Sequence, residues 1–173
     1  KKLLLLLLLP IFSFGQINTF PWINNFESFI DLEQDQNDDG DWWLMQGPTG
    51  SFGTGPSGDH TTGFGIYSYV ESSYPNYPNK QFVCYTPEFD VSATDNMGNY
   101  IFIDAIFGNQ GDQWHFTHYQ LDSFNIQNNF KIAFIATTGT GFTSDFAIDD
   151  IMVSNPFPVI YGCTDTICSN YDS

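Results

Sequence analysis

Beyond its first sixteen residues the chain carries no long segment with apolar residues at helical spacing. Short alternating runs recur along it instead, broken every several residues by Gly, Asn, Asp, Ser or Pro. Eight runs read as strands: Trp22 to Phe26, Trp42 to Met45, Gly65 to Glu71, Phe82 to Tyr85, Tyr100 to Phe107, Gln113 to Leu121, Lys131 to Thr137 and Phe146 to Val153. Tyr67 and Tyr69 alternate with Ser68 and Val70, and Trp114 and Phe116 with His115 and Thr117, the period of a strand with one face in a core. Many short strands separated by turn signals predict an all-β sandwich or barrel. Trp42 and Trp43 are neighbours on one run, so their rings must point to opposite faces.

Two stretches depart from this pattern. Asp31 to Asp41 is a polar, acidic run, and Gly47 to Gly65 is a long segment rich in Gly, Pro, Ser and Thr that predicts a surface loop. A loop of that length inside a compact domain is usually functional or anchored.

The N-terminus changes the expected address. Lys1 and Lys2, the apolar run Leu3 to Leu9, and Ser13-Phe14-Gly15 have the form of a secretory signal peptide over residues 1–15. Its apolar stretch is shorter than the ~20 residues needed to span a bilayer. A secreted product, at the cell surface or beyond it and without membrane insertion after cleavage, is the expectation, and the remainder suits one domain. The whole sequence has four basic residues against twenty acidic ones, a formal charge of −16. Once Lys1 and Lys2 are removed, Lys80 and Lys131 alone oppose those acids. Such a surface repels nucleic acid phosphates and anionic lipid, and attracts divalent cations. Most of the carboxylates are expected to do no more than keep an exported domain soluble.

Three cysteines cannot all pair within one chain. Cys163 and Cys168 are close enough for a short-loop disulfide, which leaves Cys84 as a buried free thiol. His115 and His118 stand three apart and would point to opposite faces of a strand, so a zinc site is not expected.

Three stretches carry specific motifs. The first is Asn25-Phe26-Glu27 followed by Asp38-Asp39-Gly40-Asp41-Trp42. The second runs from Gly53-Thr54-Gly55-Pro56-Ser57-Gly58-Asp59-His60-Thr61-Thr62-Gly63 into Gly65-Ile66-Tyr67-Ser68-Tyr69-Val70-Glu71. The third joins Gly108-Asn109-Gln110-Gly111-Asp112-Gln113-Trp114 to Gly141-Phe142-Thr143-Ser144-Asp145-Phe146-Ala147-Ile148-Asp149-Asp150-Ile151. Together they resemble the MAM domain family, the extracellular module of meprins, neuropilins and receptor tyrosine phosphatases, which also occurs in exported bacterial proteins. The resemblance covers 17–154 and implies a jelly-roll β-sandwich of the concanavalin type. Residues 155–160, with two prolines, then read as a linker, and 161–173 as the start of a truncated C-terminal repeat. Around Ala93 to Gly108 the chain is about two strands short of the family's pattern, which would leave an open sheet edge and an incompletely covered core. The family's usual cysteines are absent.

Read by itself, Asp35-Gln36-Asn37-Asp38-Asp39-Gly40-Asp41 begins like a calcium loop, but Gln46 stands where the closing glutamate would be needed. The resemblance implies a composite Ca2+ site instead, with Glu27, Asp39 or Asp41, Asp59 and Asp149 as ligands. Calcium takes six to eight oxygens and would cancel repulsion among carboxylates gathered from separate segments. Asp150, alternating with Asp149, is expected to face the other way. Catalytic motifs fail: Gly55-Pro56-Ser57-Gly58-Asp59 lacks the second Gly of a nucleophile elbow, no H-E-x-x-H occurs, and Glu88-Phe89-Asp90 opens a glucanase-like cluster that ends on Ala93. No enzyme is expected. The function implied is adhesion or recognition of an extracellular protein or glycan, as one part of a larger exported protein. The alternative is a carbohydrate-binding jelly roll using Trp43, Tyr74 and Tyr77 as ligand-binding rings, the last two on the rigid Tyr74-Pro75-Asn76-Tyr77-Pro78 loop.

Overall fold

Eight short strands, every pair antiparallel, form the framework: β1 (Trp22–Asn24), β2 (Glu33–Gln34), β3 (Trp43–Gln46), β4 (Ile66–Val70), β5 (Gln81–Tyr85), β6 (Ala133–Thr137), β7 (Phe146–Ile148) and β8 (Ile151–Val153). The computed structural model describes residues 16–27, 32–51, 53–89, 101–121 and 129–154. The expected signal peptide over 1–15, the expected linker over 155–160, Cys163, Cys168 and the expected C-terminal repeat lie outside the described residues. The protein is an all-β sandwich, in which a sheet of order β3-β4-β7 faces one of order β2-β5-β6, with the ribbon β1-β8 beside them.

The inward residues follow the strand period. From the first sheet Val70, Ile66, Phe146 and Ile148 meet Phe82, Cys84, Ala136 and Phe134 of the second, with Phe26, Leu32 and Trp42 closing the cluster. A second cluster of Trp22, Phe89 and Val153 lies under β1-β8, and Ile151 touches both. Trp42 is buried and donates its indole N–H to the Phe82 carbonyl at 3.2 Å, which satisfies the ring's single polar group. Its neighbour Trp43 points the other way and is 63% exposed. Cys84 is a buried free thiol, its ionisation pushed up to about 12 by burial and the nearby Asp38 charge.

The outer face of β3-β4-β7 carries Tyr67 and Tyr69, paired across from Met45 and Trp43, yet both tyrosines are buried. The Gly-rich loop 47–57 folds back over them: Tyr67 donates to the Gly47 carbonyl at 2.8 Å, and the Gly50 N–H reaches the Tyr69 hydroxyl at 3.3 Å. Gly47, at φ +82°, supplies the left-handed turn that starts this return.

Three expectations need correction. The run from Phe146 to Val153 is two strands, because Asp150 at φ +49° breaks it between Ile148 and Ile151. The acidic run contains a short strand, β2, which pairs with Tyr85 and Cys84. The predicted strands in 101–107 and 113–121 form no ladder; they are two limbs of an exposed arm joined through Gly108 and Gly111, both at positive φ. A period-two pattern makes a segment competent to pair, but a strand exists only where another lies alongside. The shortened stretch around Ala93 to Gly108 lies partly outside the described residues; among those described, nothing pairs with the far side of β6.

Candidate functional site

Glu27 is delivered by a local turn. The Asn24 side-chain carbonyl accepts the Phe26 N–H at 2.9 Å, and Phe26 takes φ +59° while its ring stays in the core. A bulky residue in this region carries strain, which persists where packing over-determines it. The reversal lets Glu27 Oε1 accept the Ile66 N–H at 2.6 Å, at the entrance to β4.

Asp59 arrives at the same place from the long loop. It is buried, and its oxygens accept the Thr62 N–H at 2.8 Å, the Gly65 N–H at 2.5 Å and the Thr62 hydroxyl at 3.1 Å. Burial pushes its carboxyl up, but these bonds outweigh it and hold the group below its ordinary range. Gly65 is where the two carboxylates meet: a Cβ there would collide with Glu27 Oε1 and stand 2.9 Å from Asp59 Oδ2. No larger residue could occupy that position without separating them.

Asp149 approaches from the β7–β8 break. Its Oδ2 accepts the His60 N–H at 2.8 Å, and its Oδ1 the Asp150 N–H at 2.8 Å. Burial raises its carboxyl pKa despite those bonds, and the charges of Asp150 and Asp59 add to the rise. Asp150 does not face away: it binds His60 Nδ1 at 2.6 Å and the Thr61 hydroxyl at 2.7 Å, because the turn at φ +49° aims both side chains at one loop.

Of the five residues singled out for a metal, the fold therefore gathers Glu27, Asp59 and Asp149 around residues 59–66. Asp39 lies elsewhere, bonded to Lys80 Nζ at 2.7 Å and to the Gln81 N–H at 2.9 Å, and Asp41 is exposed. Asp35 and Asp38 are likewise engaged, by the Tyr85 hydroxyl at 2.7 Å and the Val83 N–H at 2.5 Å. The acidic run serves as a clasp along β5. Among the described residues no three acidic, His or Cys groups form a ready-made metal cage. The trio's donors are carboxylate oxygens, the kind a hard cation takes, and the Asp59 charge contributes to the rise in the Asp149 pKa.

A second carboxylate pair was not singled out from the sequence. Asp145 accepts the Ser72 N–H at 2.8 Å, the Ser72 hydroxyl at 2.7 Å, the Thr54 hydroxyl at 2.5 Å and the Tyr69 hydroxyl at 3.2 Å. Tyr69 also donates to Glu71, whose other oxygen accepts the Ser73 N–H at 2.9 Å. Burial, first, and the two carboxylates raise the Tyr69 phenol far above its ordinary value. This network ties the Gly-rich loop to β4 and β7. Its signal was faint, since Asp145 sits among Thr and Ser in an ordinary turn and its partners are 73 to 91 residues away.

No protein-family model matches the chain. It is 29% identical to thyroid hormone-induced protein B of Xenopus laevis over 148 aligned residues, covering 72% of this chain and 21% of that protein. It is 28% identical to MAM domain-containing protein 2 of Mus musculus and of Homo sapiens over 138 residues, covering 68% of this chain and 20% of each. The relationship is MAM-like. The chain spans about a fifth of the length of these curated relatives.

In this MAM-like sandwich the aromatic candidates occupy two places. Trp43 stands on β3 across from Tyr69. Tyr74, 82% exposed, packs edge-on against Tyr77 with ring centres 6.4 Å apart, on a loop pinned by the Asn76 amide bonding the Glu71 carbonyl at 2.8 Å. No helix among the described residues is long and apolar enough to cross a membrane.

Proposed function

We propose that the chain is a secreted, non-catalytic recognition or adhesion module of a larger extracellular protein, stabilised by a calcium ion that Glu27, Asp59 and Asp149 help to hold. The observation that carries this reading is the meeting of Glu27 and Asp59 at Gly65, with Asp149 bonded to the adjoining His60. Carboxylates from β1's exit, the long loop and the β7–β8 turn bond to residues 60–66, where a divalent cation would offset their repulsion and tie three segments together. The distant MAM-like relatives support the adhesion class.

A ligand that binds the folded state alone must raise the unfolding midpoint. Calcium at 100 times its dissociation constant is expected to add about 2.7 kcal/mol, read as a rise in Tm that a chelator reverses. Glu27→Gln with Asp59→Asn should abolish the rise, whereas Asp39→Asn should leave it. An unchanged midpoint in the unsubstituted protein would remove the ion from the account.

A second reading is supported by the exposed Tyr74 ring on its pinned loop: glycan binding by stacking on Tyr74, Tyr77 or Trp43. Reproducible polysaccharide retention, lost on Tyr74→Ala or Trp43→Ala, would favour it over protein adhesion.

A further inference from the structure

Trp114 is a point at which the arm 101–121 meets the loop that carries Asp59. From 101 to 120 every residue is exposed except Ile103 and Trp114, which are half-buried. A tryptophan that leaves water needs an acceptor for its single N–H, and Trp114 finds one on the sandwich. The indole N–H donates to the Gly58 carbonyl at 2.9 Å, and the ring stands edge-on to Tyr67 at 5.5 Å and to the His60 ring at 6.2 Å. Tyr67 belongs to the paired strand β4, whereas Gly58 and His60 flank Asp59. One ring therefore spans strand and loop.

The loop it grips is closed by a small set of bonds. His60 donates its N–H to Asp149, Thr62 and Gly65 donate theirs to Asp59, and Ile66 donates to Glu27. Gly58 packs so tightly across the loop that a Cβ there would lie 2.3 Å from the Gly63 carbonyl oxygen. Gly58 and Gly63 consequently shift together, and a displacement at the Trp114 contact is carried towards the amides that hold Asp59.

We propose that Trp114 is a latch through which the arm and the loop 58–66 open and close as one unit, so that docking of the arm sets how firmly Glu27, Asp59 and Asp149 are held together. Trp114 is a positioning residue, acting on the carboxylates through Gly58 and His60. Such coupling is reciprocal: whatever loosens the loop frees the indole, and whatever frees the indole loosens the loop. The regulatory consequence rests on the reading of the trio as a cation site. An ion held there draws the arm down, and release of the arm lowers the ion's affinity by the same factor.

The test is hydrogen exchange of backbone amides and indole N–H groups on the purified chain, first in chelator. In Trp114→Ala the amides of Thr62, Gly65 and Ile66 should exchange at least about tenfold faster, while those of β5 and β6 keep their rates. Trp114→Phe, which keeps a ring but loses the N–H, should fall between. In the reverse direction Asp59→Asn, which removes one of the two oxygens holding the Thr62 and Gly65 N–H groups, should speed exchange of the Trp114 indole and leave that of the buried Trp42 unchanged. A residue that merely fills space predicts no such reverse effect. Loop amides indifferent to both Trp114 variants, or an indole indifferent to Asp59→Asn, overturn the latch; if Trp114→Ala fails to fold, Trp114→Phe and Asp59→Asn decide. Calcium is then added. The loop amides and the Trp114 indole should slow together, and calcium affinity should fall at least about fivefold in Trp114→Ala but not in Phe116→Ser, whose ring is exposed on the same limb. Slowed loop amides with an unmoved indole keep the ion and overturn the latch. No response to calcium anywhere removes the ion and leaves the latch to the result in chelator.

Discussion

The segment around Tyr67 and the arm around Phe116 are written in the same pattern, aromatic residues alternating with small or polar ones, and end in opposite states. Tyr67 and Tyr69 lie on a strand paired on both sides, by β3 and β7, and covered by a loop that bonds their hydroxyls. Phe116 is 91% exposed on a limb with no ladder. Alternation decides which face of a strand is apolar; the hydrogen-bonding partner and the cover come from residues far away in the chain. The comparison also shows why polar groups cluster in the covered region. Loop 47–57 can lie over a sheet face because Asp145 and Glu71 accept the N–H and O–H groups that burial would otherwise leave unpaired.

Substitutions can separate the two regions by magnitude. Phe82→Ala should cost the most, about 3–5 kcal/mol in denaturant unfolding, because its ring is buried between the two sheets and the site has few ways to collapse. A loss under about 1 kcal/mol would mean that the two sheets do not share a core. Asp145→Ala should follow at about 1–3 kcal/mol, since it strands the Ser72 N–H and hydroxyl and frees Thr54 from β7, and it should expose the 47–57 loop to proteolysis.

The pH response gives a smaller effect of defined sign. Burial pushes the Glu71 carboxyl up, but bonds from Ser73, Tyr69 and Ser51 more than reverse this and leave it below 4.5. A carboxylate with a depressed folded-state pKa contributes stability above its unfolded value, and loses it as pH falls through the folded one. Tm should therefore drop on acidification below about pH 4.5, and Glu71→Gln, less stable at neutral pH, should remove part of that slope. The smallest effect belongs to the arm: Phe116→Ala should change stability by no more than about 0.5 kcal/mol, because the ring is exposed. A loss as large as that of Phe82 would erase the distinction between the regions.

Much of the framework was legible in the sequence. Six of the eight runs proposed as strands contain one, from Trp22 at β1 to the Phe146–Val153 run that holds β7 and β8. The opposed rings of Trp42 and Trp43 followed from their adjacency, and Cys84 as a buried free thiol from setting aside Cys163 and Cys168 as a pair. Asp59 and Asp149 were pointed to by the resemblance rather than by their local surroundings. The role of Asp145 was not, because its turn looks ordinary until Thr54, Tyr69 and Ser72 surround it.

What the sequence alone determined is the period of each segment, the all-β class and the preponderance of acid, since these depend on residue order and composition. What the tertiary structure decided is which alternating runs became strands, and which carboxylates met. Asp39 and Asp59 look equally available as cation ligands on paper. The fold commits Asp39 to Lys80 and the edge of β5, and brings Asp59 against Glu27 at Gly65. Pairing and convergence are relations between distant residues, and local pattern cannot encode them.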